Sequence, residues 1–292
     1  MTKFTVIGGK ASQDLAKRLA KKLKATYIST ELRTFPDGES KITFSKKPKK
    51  NKIIIVQSTY PPVDSNLLQC LALISKAKQF SPNVVAVVPY MGYARQDREF
   101  LPGEIVSMQL IAKLFKCVGA TKIIVVDIHS TMGLKNFKIS AKNISAVPEL
   151  VKFFKKLNLK EPLVVSPDLG GKKRAKEFAN LLGSDHIALK KKRDRKTGKV
   201  KIISTDLKSV VGKDIVLVDD MISSGGSIIK ATEFLKKQKC RRVFVSCTHA
   251  LLVGSAEKRI KKAGVSRIVS TNTIPGTTSK VDVSNIIAKT VM

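Results

Sequence analysis

Short apolar runs alternate with amphipathic stretches along the whole chain. The apolar runs predict strands at Phe4–Ile7, Ile53–Val56, Val84–Val88, Ile123–Val126, Leu163–Val165, Ile215–Val218, Val243–Val245 and Arg267–Val269. Apolar residues at helical spacing predict helices at Ser12–Leu23, Ser65–Phe80, Ile105–Val118, Pro148–Leu157, Lys172–Leu182, Ser227–Lys237 and Ala256–Ala263. Because fully apolar strands separated by helices are typical of parallel sheets covered on both faces, the pattern predicts an α/β protein.

Part of this pattern occurs twice. Gly8-Gly9-Lys10 opens a predicted helix after a strand, and Gly170-Gly171-Lys172 does the same later in the chain. The same spacing separates the strand at Ile53 from the strand at Ile215. The sequence therefore predicts two tandem domains of one type, the first spanning residues 1–145 and the second residues 146–292.

The chain carries a large positive charge. Its 292 residues include 55 Lys and Arg against 22 Asp and Glu, which gives a formal net charge of +33. With 43% hydrophobic residues the chain can bury a core, which excludes a disordered protein. The charge requires anionic surroundings, and nucleic acid, phosphorylated small molecules and acidic membrane surfaces are the candidates. Aromatic residues make up only 5% and Trp is absent, so we expect no nucleic-acid partner that needs stacking platforms.

Neither membrane insertion nor export is predicted. No apolar run approaches the roughly 20 residues that span a bilayer, and the opening MTKFTVIGGK is typical of a strand and turn rather than a signal peptide. The cysteines form no CxxC pair and lie in or beside apolar stretches, at Cys70, Cys117, Cys240 and Cys247. We therefore expect a cytoplasmic protein without disulfides or a zinc site.

A charged, glycine-rich segment follows the strand at Ile215. Asp219 and Asp220 end the strand, and Ser223-Ser224-Gly225-Gly226-Ser227 leads into a helix. Ligands of open parallel sheets bind beyond the carboxyl ends of the strands. Glycines let the backbone approach a ligand, and N–H groups at a helix N-terminus bind phosphate, with serine hydroxyls as further donors. Because two carboxylates can accept hydrogen bonds from a vicinal diol, the segment predicts a site for a pentose 5-phosphate.

The segment resembles the phosphoribosyl-diphosphate loop of type I phosphoribosyltransferases and of the ribose-phosphate pyrophosphokinases. The usual loop ends in Thr-Gly-Gly-Thr, and both threonines are serines here. The loop alone does not separate the two groups. In either case the resemblance implies two tandem type I phosphoribosyltransferase-like domains, and it assigns ribose 5-phosphate binding to Asp219, Asp220, Ser223, Ser224, Gly225, Gly226 and Ser227.

Two other segments resemble the pyrophosphokinases, and archaeal members in particular. Phe35-Pro36-Asp37-Gly38-Glu39, which taken alone is a Pro-Gly turn, resembles a Phe-x-Asp-Gly-Glu segment that contacts ATP in the family, often across a subunit boundary. Tyr90–Arg98 resembles the Pro-Tyr-x-x-Tyr-x-Arg-Gln-Asp signature, and Arg is well suited to a polyphosphate. The resemblance implies a homo-oligomer, and it assigns ATP binding to Phe35, Asp37, Gly38, Glu39, Arg95, Gln96 and Asp97.

A histidine and two carboxylates make up the predicted metal site. His129, one of three histidines, lies in Asp127-Ile128-His129-Ser130 after an apolar strand, where a histidine on its own is typical of a core residue. The segment resembles the family's Asp-x-His motif, whose histidine binds Mg²⁺, and Asp168 resembles a second metal-contacting carboxylate. Mg²⁺ keeps several waters, so one or two protein ligands suffice. Where relatives carry further acidic residues, this chain has Lys138 and Lys142.

The most basic segment is Lys190–Lys199, which contains no apolar residue before Val200. Taken alone it is a charged hairpin that could contact nucleic acid. The resemblance implies a flexible catalytic loop with a Lys-x-Arg core, which corresponds to Lys191 and Arg193, the arginine also contacting ribose 5-phosphate. Lys192 is the alternative to Lys191, because the register within three lysines is ambiguous.

These motifs occur in the order found in the ribose-phosphate pyrophosphokinases and cover nearly the whole chain. The resemblance implies a Mg²⁺-dependent transfer of the β,γ-diphosphoryl group of ATP to the 1-hydroxyl of ribose 5-phosphate, for nucleotide biosynthesis. Two alternatives remain open at this point. One is a phosphoribosyltransferase, which consumes the product of that reaction, and the other is a non-catalytic regulatory or nucleic-acid-binding relative.

Overall fold

The chain folds into two compact units in a computed structural model that describes residues 3–193, 200–203 and 210–292. The first unit takes Met1–Ser145, Asn272–Pro275 and Asp282–Met292, and the second takes Ala146–Thr271 and Gly276–Val281. The sequence prediction placed all residues after 145 in the second domain. The structure differs near the C-terminus, where two short segments belong to the first unit.

A mostly parallel sheet forms the centre of the first unit. Its strands are β1 (Phe4–Gly8), β2 (Thr26–Thr34), β3 (Ser40–Phe44), β4 (Lys52–Val56), β5 (Val84–Val88), β6 (Lys122–Val126) and β7 (Ser140–Ile144), in the order β3-β2-β1-β4-β5-β6-β7. All neighbours are parallel except β3, which pairs antiparallel with β2. The helices that follow are α1 (Gln13–Lys22), α2 (Val63–Lys78) and α3 (Ser107–Cys117).

The core of the first unit is built from the apolar runs of the central strands. Ile53, Ile55 and Ala86 are fully buried against Ile74 of α2 and Phe115 of α3. Strands buried on both faces read as continuous apolar runs, which is why β4 and β5 were predictable from sequence.

The second unit contains a parallel sheet and a short antiparallel ribbon. Its strands are β8 (Leu163–Ser166), β9 (Asp185–Ala188), β10 (Lys190–Arg193), β11 (Val200–Ile203), β12 (Asp214–Ile222), β13 (Arg242–Ala250), β14 (Val265–Thr271) and β15 (Ser279–Val281). The sheet order is β15-β14-β13-β12-β8-β9, and β10 pairs antiparallel with β11. The helices of this part of the chain are α4 (Val147–Phe154), α5 (Lys172–Leu182), α6 (Gly226–Lys237) and α7 (Ala256–Lys262).

Both faces of the second sheet are covered by helices. On one face, Leu217 of β12 packs in a cluster with Ile228 of α6 and Ile260 of α7. On the other, the ring of Phe154 in α4 meets the rings of Phe178 in α5 and Phe244 in β13 edge to face. The predicted α/β architecture, with parallel sheets flanked by helices, is confirmed, and every predicted strand and helix is present.

The last helix, α8 (Ser284–Val291), packs against α1 and so belongs to the first unit. The Nζ atom of Lys52 donates to the carbonyl oxygen of Val291 at 2.9 Å, and that of Lys122 donates to the carbonyl of Thr290 at 3.3 Å. Carbonyls in the last turn of a helix lack intrahelical partners, and positive side chains there also interact favourably with the helix dipole. Two lysines from the sheet therefore fix the C-terminal end of α8.

The two units share one strand order. The parallel strands follow β2-β1-β4-β5-β6-β7 in the first unit and β9-β8-β12-β13-β14-β15 in the second. Thr5 pairs with Ile53, and Leu163 pairs with Ile215. If the strands at Ile53 and Ile215 are equivalent, as the repeat predicts, Gly8 corresponds to Ser166. The two Gly-Gly-Lys segments are therefore not equivalent in structure, although the order of the strands is.

Replacing Phe154 with alanine should destabilise the second unit. Its side chain is fully buried between two aromatic rings, so Phe154→Ala should lower the free energy of unfolding by about 3 to 5 kcal/mol. Leu181→Ala is the control, because Leu181 is 41% exposed, and its effect should stay within about 1 kcal/mol. Urea unfolding followed by circular dichroism measures both, and equal losses would contradict this account of the core.

Candidate active site

The two predicted sugar-binding carboxylates lie inside strand β12, which continues past them to Ile222. Asp220 is 6% exposed and Asp219 is half-buried. The backbone N–H of Asp220 donates to Oδ1 of Asp219 at 2.9 Å. Two neighbouring carboxylates are thus held at the carboxyl end of a buried parallel strand, where ligands of this fold class bind.

The surroundings of Asp219 oppose its ionisation. Burial raises the pKa of Asp219 well above its usual range, and the side-chain hydrogen bond and negative charge of Asp220 raise it further, although the backbone hydrogen bond from Asp220 lowers it. The guanidinium of Arg174, on α5, acts in the opposite direction on the pKa of Asp219. Its Nη1 lies 3.7 Å from Oδ1 of Asp220, and 22% of the arginine side chain is exposed. Arg174 was not predicted from sequence, because no local motif marks a helical arginine that only the tertiary structure brings to these carboxylates.

Helix α7 contacts the glycine-rich loop and fixes the position of its backbone. Gly225 has a φ of +78°, a conformation that favours glycine, and a Cβ atom there would lie 2.7 Å from Cδ1 of Ile260. Arg259 donates from Nη2 to the carbonyl oxygen of Ser224 at 2.8 Å. The loop therefore has one defined path, fixed by a requirement for glycine and by an arginine that sequence reasoning also missed.

Helix α6 begins directly after this loop. Gly225 occupies the N-cap position, and its carbonyl accepts the first helical hydrogen bond, from the N–H of Ile229 at 2.9 Å. N–H groups in the first turn of a helix have no acceptor within the helix, so they can bind an anion. A Cβ atom at Gly226 would meet nothing within 4 Å, which means that the backbone is open to a ligand there.

Asp168 lies at the same edge of the second sheet. It follows β8, the parallel neighbour of β12, in the short connection to α5. Its Oδ1 accepts a hydrogen bond from the N–H of Gly171 at 3.3 Å, and its carbonyl accepts one from Oγ of Ser166 at 2.7 Å. The structure thus brings Asp168, the Asp219–Asp220 pair and the Ser223–Ser227 loop to one edge of one sheet.

The predicted ATP segment Phe35–Glu39 joins β2 to β3 as a tight, largely exposed loop in the first unit. The N–H of Phe35 donates to the carbonyl of Glu39 at 2.8 Å, and the N–H of Gly38 donates to the carbonyl of Phe35 at 2.9 Å. Gly38 has a φ of +94°, and Oδ1 of Asp37 accepts a hydrogen bond from the N–H of Glu39 at 3.1 Å. The turn that Pro and Gly predict is present, and it presents the acidic side chains outward.

The other ATP segment and the histidine segment meet at the carboxyl edge of the first sheet. Strands β5 and β6 are neighbours, and the Oγ of Ser130, after β6, donates a hydrogen bond to Oδ2 of Asp97, after β5. Arg95 and His129, which precede Asp97 and Ser130 in the sequence, are exposed. Gln96 donates from Nε2 to Oε2 of Glu104 at 3.1 Å. Glu104, which the sequence analysis did not single out, therefore orients a predicted ATP-binding side chain.

The predicted metal ligands are divided between the units. Asp127 and His129 follow β6 in the first, and Asp168 follows β8 in the second. Over residues 3–193, 200–203 and 210–292, no three His, Cys, Asp or Glu side chains are grouped as a metal cage. Mg²⁺ requires few protein ligands and prefers oxygen donors, so the carboxylates of Asp127 and Asp168 are of a type that fits it in either unit.

The basic segment is described only in part. Lys191, Lys192 and Arg193 belong to β10, whose partner is β11. Residues 194–199, which complete the predicted catalytic loop, lie outside the described residues.

Comparisons with known proteins agree with this arrangement. Residues 4–119 match the N-terminal domain of ribose phosphate pyrophosphokinase, and residues 135–280 match the phosphoribosyl transferase domain. The ribose-phosphate pyrophosphokinase of Sulfolobus acidocaldarius is 35% identical over 288 residues, which cover 97% of this chain and 99% of the relative. That of Methanosarcina mazei is 36% identical over 284 residues, covering 97% and 94%. The chain belongs to the ribose-phosphate pyrophosphokinase family.

A solved pyrophosphokinase structure supports the membership at the level of the fold. Phosphoribosylpyrophosphate synthetase from Mycobacterium smegmatis is 26% identical, with a TM-score of 0.87 over 99% of this chain and 97% of that one. Among the helices that the structure describes, none has the length and apolar character that crossing a membrane requires.

Gly225 and Gly226 should respond differently to alanine. Gly225→Ala forces a left-handed backbone and a clash with Ile260, so the free energy of unfolding should fall by about 2 kcal/mol. Gly226→Ala adds a methyl group in open space at the start of a helix, and stability should change by less than about 1 kcal/mol. Urea denaturation of the two variants measures the difference. A loss of the same size in both would show that the backbone at Gly225 is not constrained.

Proposed function

We propose that this protein transfers the β,γ-diphosphoryl group of ATP to the 1-hydroxyl of ribose 5-phosphate, giving AMP and 5-phosphoribosyl 1-diphosphate. The observation that carries the proposal is the edge of the second sheet, where a carboxylate pair lies beside an open helix N-terminus. One feature suits a vicinal diol and the other a phosphate monoester. Family membership over nearly the whole chain supports the same reaction.

The second unit would hold the sugar. The N–H groups at Gly226 and Ser227, with the hydroxyls of Ser223, Ser224 and Ser227, would bind the 5-phosphate, and Asp219 and Asp220 would accept hydrogen bonds from the diol. Fixed donors and acceptors on a rigid strand and helix orient the 1-hydroxyl before reaction, which reduces the entropic part of the barrier.

The first unit would bind ATP. Arg95, Gln96 and Asp97 lie on one loop, which the hydrogen bond from Ser130 ties to the histidine segment. The exposed Phe35–Glu39 turn would serve the ATP of a neighbouring subunit, as the family resemblance implies, so we expect a homo-oligomer. Both substrates are phosphorylated metabolites, and we expect the reaction in the cytoplasm.

The residues that would contact Mg²⁺ are His129 and Asp127, from one segment of the first unit, and Asp168 in the second unit. When bound, Mg²⁺ supplies positive charge to the ATP phosphate oxygens. The protein's own part is to position these ligands. Asp127 is buried, and its N–H donates to the carbonyl of Ile144 at 2.9 Å, which fixes the turn that presents His129.

Lys191 and Arg193 would stabilise the negative charge that accumulates on the transferred group. Phosphoryl transfers depend mainly on positioning and electrostatic stabilisation, and Arg can bind two phosphate oxygens at once. Lys191 and Arg193 both belong to β10. Lys192 is the alternative to Lys191 in this role.

Product analysis tests the function. The purified protein should release AMP from ATP only when both ribose 5-phosphate and Mg²⁺ are present. A phosphoribosyltransferase would instead consume phosphoribosyl diphosphate with a base and release pyrophosphate. Absence of AMP under saturating substrates, or AMP release that does not depend on the sugar, would refute the proposal.

Lys191→Ala should reduce kcat by a factor of about 10² to 10⁴, because one donor to a developing charge is lost. Lys190→Ala is the matched control, since Lys190 is an exposed lysine of the same strand, and its kcat should remain close to that of the wild type. The same assay on Lys192→Ala resolves the register. A large loss there, with near-normal turnover in Lys191→Ala, would transfer the role to Lys192.

A further inference from the structure

The Asp219–Asp220 pair presents an electrostatic problem that the proposed sugar site does not solve by itself. A diol donates its hydroxyl hydrogens, so both carboxylates bind it best when ionised. Asp220 is 6% exposed, and its backbone N–H already contacts the carboxylate of Asp219. Two adjacent, largely buried carboxylates resist simultaneous ionisation, because each charge loses hydration and repels the other.

The charged and titratable groups around the pair can be named element by element. Strand β13 contributes Cys247, the register partner of Asp219, and His249, the partner of Met221. Burial, with the nearby charges of Asp219 and Asp220, raises the pKa of the Cys247 thiol well above its usual value, so the thiol stays neutral. Asp168 follows β8 and adds another carboxylate at this edge. Helix α5 contributes Arg174, whose Nη1 lies 3.7 Å from Oδ1 of Asp220.

The position of Arg174 is fixed by packing on both sides of it. Ala175, Phe178 and Ala179 of α5 are buried at 1% exposure or less. At the start of the helix, a Cβ atom at Gly171 would lie 2.4 Å from Oγ of Ser166, so α5 approaches β8 closely. The guanidinium is therefore presented by a rigid helix, whereas the neighbouring Lys173 is exposed.

We propose that Arg174 is a positioning residue that keeps the Asp219–Asp220 pair in its hydrogen-bond-accepting form for the sugar diol. The inference rests on the proposed function, which it deepens by naming the residue that controls the protonation of the sugar site. Arg174 acts through the carboxylates and not on the transferred group. Its loss should therefore affect use of ribose 5-phosphate and leave use of ATP nearly unchanged.

The direction of the pH effect follows from the sign of the charge. Removing a nearby positive charge raises the pKa of the carboxylates. As the pH falls, the variant therefore loses the ionised, hydrogen-bond-accepting form at a higher pH than the wild type does. Arg174→Gln should raise KM for ribose 5-phosphate about tenfold near neutral pH, which corresponds to about one pKa unit. The acid limb of 1/KM for the sugar should move to higher pH, while KM for ATP changes by less than about twofold.

Three further variants separate charge from structure. Arg174→Lys keeps the charge and should restore the pH profile of the wild type. Arg174→Met keeps the apolar stem without charge, and it should reproduce the shift of Arg174→Gln and serve if that variant does not fold. Lys173→Gln removes one charge from an exposed site on the same helix and should behave as the wild type. An unshifted acid limb in both neutral variants, or a lysine variant as impaired as they are, would overturn the proposal.

A measurement without turnover separates this inference from the function it rests on. In protein labelled with ¹³C at the aspartate carboxyl groups, NMR should show Asp219 and Asp220 titrating at higher pH in Arg174→Gln than in the wild type. If the wild-type protein releases no AMP, the proposed reaction fails, but this titration still decides the role of Arg174. Identical titrations in the two proteins would remove that role even if the enzyme is active.

Discussion

Parallel strand pairing places the carboxyl ends of neighbouring strands at one edge of a sheet, and every candidate residue outside the β2–β3 and β10–β11 hairpins depends on that constraint. The acids of β12, Asp168 after β8 and the loop before α6 come together because β8 and β12 are parallel neighbours. In the first unit the same rule brings Asp97 and Ser130 together after β5 and β6. The candidate residues therefore lie at the carboxyl ends of strands and in the connections that follow them, while the rest of each central strand is mostly apolar and aligns them.

The central part of each fold could be predicted from sequence because its strands are buried on both faces. The strands at the edges of the sheets could not be predicted in this way. Strands β2 and β3 mix polar and apolar residues and are partly exposed, and β15 has three residues, so none of them shows a clear apolar period. Helix α8 was missed as well, although half of its residues are buried against the first unit. It has only eight residues, and the β-branched Ile286, Ile287, Thr290 and Val291 among them are as typical of a strand as of a helix.

The residues of the candidate site likewise divide into those that could be predicted from sequence and those that could not. The Asp-Asp pair and the serine-glycine loop are contiguous in sequence, so local spacing was sufficient to predict a sugar-phosphate site. Arg174 and Arg259 contact this pair and this loop from distant positions in the sequence, and only the folded chain brings them there. The repeated Gly-Gly-Lys segment shows a case in which a sequence pattern is misleading. Identical residues after two strands are not equivalent positions, because the strand register assigns Gly8 to the place of Ser166.

The return of α8 to the first unit has a consequence for how the chain is made. The amino-terminal part of a polypeptide emerges from the ribosome first, and domains generally fold as they emerge. The β1–β7 sheet is complete once residue 144 has appeared, yet the helix that packs on α1 is contributed by Ser284–Val291. During synthesis the nascent first unit therefore exposes the surface beneath α8 while the entire second unit is being translated. The first unit therefore reaches its final form only after Ser284–Val291 has been made.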